Sequence, residues 1–225
     1  MAESKTYWLI NQYASTPGTG MGGRHYYLAK ELAKQGNTVF LIAAGYTHLL
    51  RTPPVLDNNY MIEPVTDGFN FVWVGMSKYS DAHDKKRILN WFIFAWKLLK
   101  LPQIIENKPD AILYSSPSLV AFLGAQRLAK KLKSKLAFEV RDIWPLTLTE
   151  LGGYSPKHPF IRFMQWVEDK AYHDSDVIFS NLPNAVEHMV TRGMAREKFQ
   201  LIPNGFDLSE LKNPEPLAVT TQLAL

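Results

Sequence analysis

The sequence contains no cysteine, which excludes disulfide staples, thiolate metal ligands and cysteine nucleophiles. It has no apolar run long enough to cross a bilayer. Its opening residues, MAESKTYW, lack the charged, apolar and small-residue regions of a signal peptide, so a cytoplasmic chain is expected. Internal repeats and low-complexity segments are absent, as are an H-E-x-x-H pair and a clear paired-carboxylate metal motif. Charge of either sign is in short supply. With 25 basic and 21 acidic residues the net charge is only +4, which suits phosphate or acidic lipid headgroups but demonstrates neither. The basic run AKKLKSK has no interleaved aromatics and reads as the solvated end of a helix, so no nucleic acid is expected as a partner. What the chain does have is apolar mass. At 225 residues and 46% hydrophobic composition it can bury one good core or two small ones, and disorder is excluded.

Short β-rich runs alternate with segments of helical period. YWLINQY, TVFLIAA, FNFVWVGM, AILYSS, KLAFEVRD, DVIFSN and FQLIP are the expected strands, and the alternation predicts an α/β parallel sheet flanked by helices. Several of these strands are almost continuously apolar, as when helices cover both faces. In the first expected helix His25, Leu28, Ala29, Leu32 and Ala33 share one face, Lys30, Glu31 and Lys34 share the other, and Gly36 stops it. The stretch from Tyr46 to Asp67, with Pro53, Pro54 and LDNNY, reads as a surface excursion over the strand ends.

Between the first strand and the first helix stands ASTPGTGMGGRH, with four glycines. Glycines let backbone N–H groups approach a ligand closely, and a following helix N-terminus favours an anion. Phosphate is therefore the expected ligand. A dinucleotide site would need a tighter turn and an acid ending the second strand, where IAAGY has none. A P-loop would need lysine and serine or threonine where the chain reads GGRH. A glycine loop that binds nothing remains the plain alternative.

Three further stretches, DGFNFVWVGMSKYSDAHDKKRILNWFIFAWKL, KLAFEVRDIWPLTLTELGGY and FQLIPNGFDLSEL, follow in order behind GTGMGGRHYYLAKELAKQGNTVFLIA. Together they closely resemble the amino-terminal domain of family 4 retaining glycosyltransferases, from about Tyr7 to Leu211. VRDIWP and the arrangement of Trp73, Tyr79 and Arg87 look most like the subgroup that transfers N-acetylated or deoxy aminosugars in O-antigen and capsule assembly. The resemblance implies the amino-terminal half of a two-domain GT-B fold: a Rossmann-like acceptor-side domain over residues 1–211, then a tail or linker over 212–225. It also implies a nucleotide-sugar donor, a glycan or polyprenyl-diphosphate-linked acceptor, no metal and no cofactor. The nucleotide is held mainly by a carboxyl-terminal donor domain, so the chain is expected to be a piece of a longer polypeptide, or half of a split enzyme, and inactive alone.

Site residues follow from the same resemblance. Gly22 and Gly23 would offer backbone donors to the donor diphosphate, and Arg24 would add positive charge there or stand solvated in the first helical turn. His25, central on the buried helix face, is expected to be a satisfied packing residue. Arg141 and Asp142 are the candidate catalytic pair at a strand end. Many relatives carry histidine where Arg141 stands, and arginine cannot act as a general base, so any base role falls to Asp142 or the donor phosphate. A structural ion pair between the two, or a turn contact beneath Trp144, is the alternative. Glu139, inside an apolar strand, is expected to be a paired buried carboxylate. Tyr79, Arg87, Ser116 and Asn204 with Gly205 are candidate acceptor or cleft residues; Ser116 could equally cap a helix, and Asn204 could simply turn the chain.

The run DKKRILNWFIFAWKLLKL is apolar nearly all round as a helix, with a narrow polar stripe of Lys86, Asn90, Lys97 and Lys100 interrupted by Ile93. It is packed in a core, or laid on an anionic membrane surface through Lys85, Lys86, Arg87, Trp91 and Trp96, which would make the protein peripheral on the cytoplasmic face; both can hold at once, with one side on the sheet and the edge in headgroups. Two other classes stay open: a non-catalytic phosphate-ligand or membrane-binding module, and half of a nucleotide-sugar epimerase.

Overall fold

The computed structural model describes residues 3–80 and 84–205; the Lys85 side chain and the expected tail 212–225 lie outside the described residues. Among the described residues eight strands form one sheet in the order β3-β4-β2-β1-β5-β6-β7-β8. They are β1 (Thr6–Ile10), β2 (Thr38–Ala44), β3 (Tyr60–Thr66), β4 (Phe69–Val74), β5 (Ala111–Ser115), β6 (Lys135–Val140), β7 (Val177–Ser180) and β8 (Phe199–Leu201). All seven strands expected from apolar runs are present, and every pairing among them is parallel.

The eighth, β3, departs from the expected surface excursion. It pairs antiparallel with β4 at the sheet's edge, with a register shift between Pro64 and Thr66. An edge position explains why the residues looked unlike a strand. Pro64 has no N–H to give, and the outward row of a half-exposed strand can be polar.

Among the described residues six helices pack on the sheet: α1 (Arg24–Lys34), α2 (Lys85–Leu98), α3 (Leu119–Leu132), α4 (Leu146–Glu150), α5 (Pro159–Asp174) and α6 (Ala185–Thr191). They cover the two faces unequally. One face carries Trp8, Ile42, Tyr114 and Phe138 against side chains from α2, α3, α5 and α6. The other, with Leu9, Leu41, Phe71 and Trp73, meets α1 through Ala29 and Ala33. The remainder of that second face is a groove of about 790 Å³ lined by Leu28, Leu113, Ala137 and Phe179. Buried Gly124 lets α3 approach α2 closely: a Cβ there would stand 2.3 Å from the Ala95 carbonyl oxygen.

The sheet order places β1 between β2 and β5. The chain leaves β1 for α1 on one face and leaves β5 for α3 on the other. Loops therefore diverge between the carboxyl ends of β1 and β5, the switch point at which open α/β sheets bind ligands.

Candidate functional site

The residues at this switch point form a buried polar cluster around Glu139, the penultimate residue of β6. Its carboxylate accepts from Arg24 Nε at 2.7 Å, from His25 at 2.6 Å and from Ser115 Oγ at 2.7 Å. Asn11, just beyond β1, orders the far side of the ring. Its Oδ1 accepts the Tyr13 N–H at 2.9 Å, so its amide nitrogen faces His25 Nδ1 at 2.9 Å. With Nδ1 accepting, Nε2–H donates to Glu139. Burial alone would raise the Glu139 pKa; the hydrogen bonds from His25 and Ser115 and the charge of Arg24 outweigh it and hold the carboxyl down at about 2. Glu139 is thus the paired buried carboxylate expected, and His25 is the satisfied packing histidine.

Arg24 does not stand solvated in the first helical turn. Its guanidinium is neither solvated nor turned to open space: besides Glu139 it donates to the carbonyls of Pro203 at 2.6 Å and Ile202 at 3.2 Å, and reaches Asn204 Oδ1 at 3.5 Å. The first turn of α1 is tied in this way to the segment leaving β8. Asn204 is exposed and adjoins this tie.

The glycine loop is folded, with its own internal bonds. Thr16 O accepts from Thr19 and Gly20, and Ser15 Oγ accepts from Met21. Gly22 and Gly23 have φ of 67° and 89°, a region L side chains avoid. Gly23 stands immediately before α1 with nothing within 4 Å of where its Cβ would be. No side chain caps α1 there; the Gly23 carbonyl accepts from Tyr26 and Tyr27.

Arg141 and Asp142 follow β6 directly. Arg141 N–H is held by Ser116 Oγ at 2.9 Å, which fixes the strand end. The pair borders a pocket of about 280 Å³ with Ile143, Leu146, Thr147, Glu150, Leu151 and Leu182. Asp142 is exposed and Arg141 half-buried. No ion pair joins either residue to another among the described residues, so the structural pairing considered above does not form. Arg141 Nε is buried and has no hydrogen-bond partner there.

Two cleft candidates, Ser116 and Tyr79, are buried, and a third, Arg87, is half-buried. Ser116 is fully buried and spent on Arg141, while the residue before α3 is Ser118. Tyr79 is buried against Tyr46 and His48, its hydroxyl accepting the His48 N–H at 3.2 Å; burial raises its pKa. Arg87 lies over the Trp91 ring at 5.5 Å. Sequence reasoning missed Asn11 and Ser115, which no motif marks; their position just at the ends of β1 and β5 was the available signal.

An open, mostly parallel sheet with its polar cluster and glycine loop at the switch point is a Rossmann-like domain of the GT-B type. The chain belongs to glycosyltransferase family 4, whose family pattern matches residues 19–210. Among solved structures, sucrose-phosphate synthase from Thermosynechococcus elongatus is similar at TM-score 0.57 and 11% identity, over 92% of this chain and 93% of that one. Arabidopsis thaliana UGT89C1 complexed with UDP matches at TM-score 0.54 and 12% identity, over 89% of this chain and 49% of that one. Anabaena HepE in complex with UDP and glucose matches at TM-score 0.51 and 12% identity, over 91% and 46% respectively. The chain thus spans about half the length of the latter two. Among curated proteins there is no significant match.

Proposed function

We propose that this chain is the acceptor-side half of a retaining glycosyltransferase. The enzyme would move a sugar, an N-acetylated or deoxy aminosugar, from a nucleotide-sugar to a glycan or polyprenyl-diphosphate-linked acceptor in surface polysaccharide synthesis. The observation that carries the reading is the pocket at the end of β6, where Arg141 keeps a buried Nε without a partner beside the exposed carboxylate of Asp142. An unsatisfied guanidinium donor suits an anionic oxygen. The nucleotides in the HepE and UGT89C1 structures support a nucleotide-sugar as the donor class.

In this reading the bond from the anomeric carbon to the diphosphate oxygen breaks as the acceptor oxygen bonds to the same face. The acceptor proton passes to a phosphate oxygen or to Asp142. Arg141, permanently charged, stabilises the negative charge that develops on the leaving phosphate. Gly22 and Gly23 bring backbone N–H groups toward the diphosphate at the start of α1. The Glu139 cluster touches no substrate and positions both elements: it joins α1 to β6 two residues before Arg141.

Calorimetric titration of the 225-residue chain with UDP- and GDP-sugars tests the division of labour. Binding weaker than about 1 µM is expected when the nucleotide is held mainly by a second domain. Sub-micromolar binding near one site, more than about 8 kcal/mol from this half alone, would overturn it.

A further inference from the structure

The middle of the polar stripe on α2, Asn90 and Lys97, is turned into the protein. Asn90 is buried and donates to the Ser77 carbonyl at 2.8 Å. Lys97 donates to Asn59 Oδ1 at 2.8 Å and to the Gly75 carbonyl at 2.7 Å. Trp91, Phe94 and Leu98 fill the core beneath, Trp91 donating to the Tyr13 hydroxyl at 2.9 Å, so Trp91 is not the membrane contact expected of it. The side left outward is apolar. Leu89 is 57% exposed and Trp96 56% exposed, with Ile88 and Phe92 beside them, all within one arc of about 100° on the helix. A water-facing helix surface ordinarily carries the polar residues; here Asn90 and Lys97 are spent inside.

The apolar surface continues onto α5. Phe92 stacks on Phe163 at 5.9 Å, Phe163 meets Trp166 at 6.0 Å, and Trp166 is 52% exposed. Cations surround it. Lys100 Nζ sits 4.3 Å above the Trp96 ring, Lys86 is exposed one turn before Asn90, and Arg162 is exposed one turn before Trp166. The carboxylates of these two helices are otherwise engaged: Asp84 caps α2 at the Lys86 N–H, Glu168 is buried, Asp169 holds Arg192 through two bonds, and Asp174 pairs with Lys170. Trp91, whose ring meets Trp144 at 6.1 Å and Phe160 at 6.4 Å, connects the underside of the patch to the segment that carries Arg141 and Asp142.

We propose that the outer face of α2 with Trp166 of α5 is a docking surface for an anionic lipid bilayer. Two observations choose lipid over a protein partner. The five exposed side chains offer roughly 500 Å² of apolar surface, below the ~800 Å² per partner of a standard protein interface. Tryptophans bordered by lysine and arginine also match the boundary between acyl chains and acidic headgroups. No described helix is long and apolar enough to cross a membrane, so the surface rests on the bilayer. The proposal stands independently of sugar transfer.

Co-sedimentation with vesicles of equal parts phosphatidylcholine and phosphatidylglycerol tests it, with pure phosphatidylcholine as comparison. The wild-type chain is expected to sediment with the anionic vesicles at low salt and to be released as salt rises. Trp96→Gln with Trp166→Gln should lower partitioning about tenfold, and Lys86→Gln, Lys100→Gln and Arg162→Gln about fivefold each, with thermal melts showing each variant folded. Brominated lipid should quench wild-type tryptophan fluorescence and lose that quenching in the double tryptophan variant. A folded wild-type chain that stays in the supernatant at low salt overturns the proposal, as do variants that sediment unchanged. A concentration-dependent dimer, dissolved by the same substitutions without vesicle binding, would assign the patch to a second copy of the chain instead.

Discussion

The His25 ring and the Glu139 carboxylate meet at 2.6 Å across 114 residues of sequence, joining the first turn of α1 to the end of β6. Glu139 also faces Arg24 and Ser115 and is almost wholly buried. Glutamine there removes the charge facing the guanidinium and turns one of the two acceptor oxygens into a donor, leaving part of the cluster without its acceptor in a site with little water. Breaking a buried pair from one side costs about 3–5 kcal/mol. Glu139→Gln should therefore lower urea stability by about that much, with the denaturant slope unchanged. A loss below about 1 kcal/mol would mean that water takes over the role of the carboxylate.

The same residue gives stability a pH dependence of known sign. The Glu139 pKa is about 2 in the folded chain against an ordinary 4.5, so between these values the unfolded chain binds a proton that the folded chain does not. Its contribution is fully present above pH 4.5 and is lost as pH falls through that window toward 2, amounting to about 3 kcal/mol. Urea midpoints measured down the acid limb should fall less steeply for Glu139→Gln than for wild type. Parallel acid limbs would place the depressed carboxyl elsewhere.

Most of the sheet was legible in the sequence because parallel strands are apolar on both faces, and seven such runs correspond to seven strands. The one missed, β3, sits at an edge, where a proline is tolerated and the apolar signal halves. The character of α2 was legible but its orientation was not. Asn90 and Lys97 look like a solvent stripe until the carbonyls of Ser77 and Gly75 are seen to need donors, and those carbonyls are fixed by the chain after β4. Glu139 could be read as paired, since a lone carboxylate in an apolar strand requires it. Its partners Arg24 and His25 could not be, because only the strand order brings α1 beside β6.

Gly124 should tolerate no side chain. In α3 it lies against α2, and an added Cβ would stand 2.3 Å from the Ala95 carbonyl oxygen and 3.0 Å from its carbon, backbone atoms that cannot turn aside. Alanine would ordinarily favour a helix by about 1 kcal/mol over glycine. Here the two helices must separate, and overpacking of this kind costs about 1–3 kcal/mol or more. Gly124→Ala should therefore lower the thermal midpoint, whereas a raised midpoint would show that α2 shifts freely.

Arg141 and Asp142 separate function from stability most cleanly, because neither forms an ion pair among the described residues and both border open space. In the enzyme containing this half together with its donor domain, Arg141→Ala should remove a charged donor that acts when the phosphate leaves. Loss of one such donor costs ~3 kcal/mol in the transition state, or about a hundredfold in turnover. Arg141→Lys should recover only part of it, since an ammonium cannot supply the guanidinium's fixed geometry. Asp142→Asn keeps the shape but cannot accept a proton, so it should lower turnover while leaving the KM for the nucleotide-sugar nearly unchanged. Urea midpoints of all three variants should stay close to wild type, as expected for partly exposed groups without ion-pair partners. Folded Arg141→Ala and Asp142→Asn enzymes that transfer sugar at the wild-type rate would remove both residues from the site and leave the Glu139 cluster as structure alone.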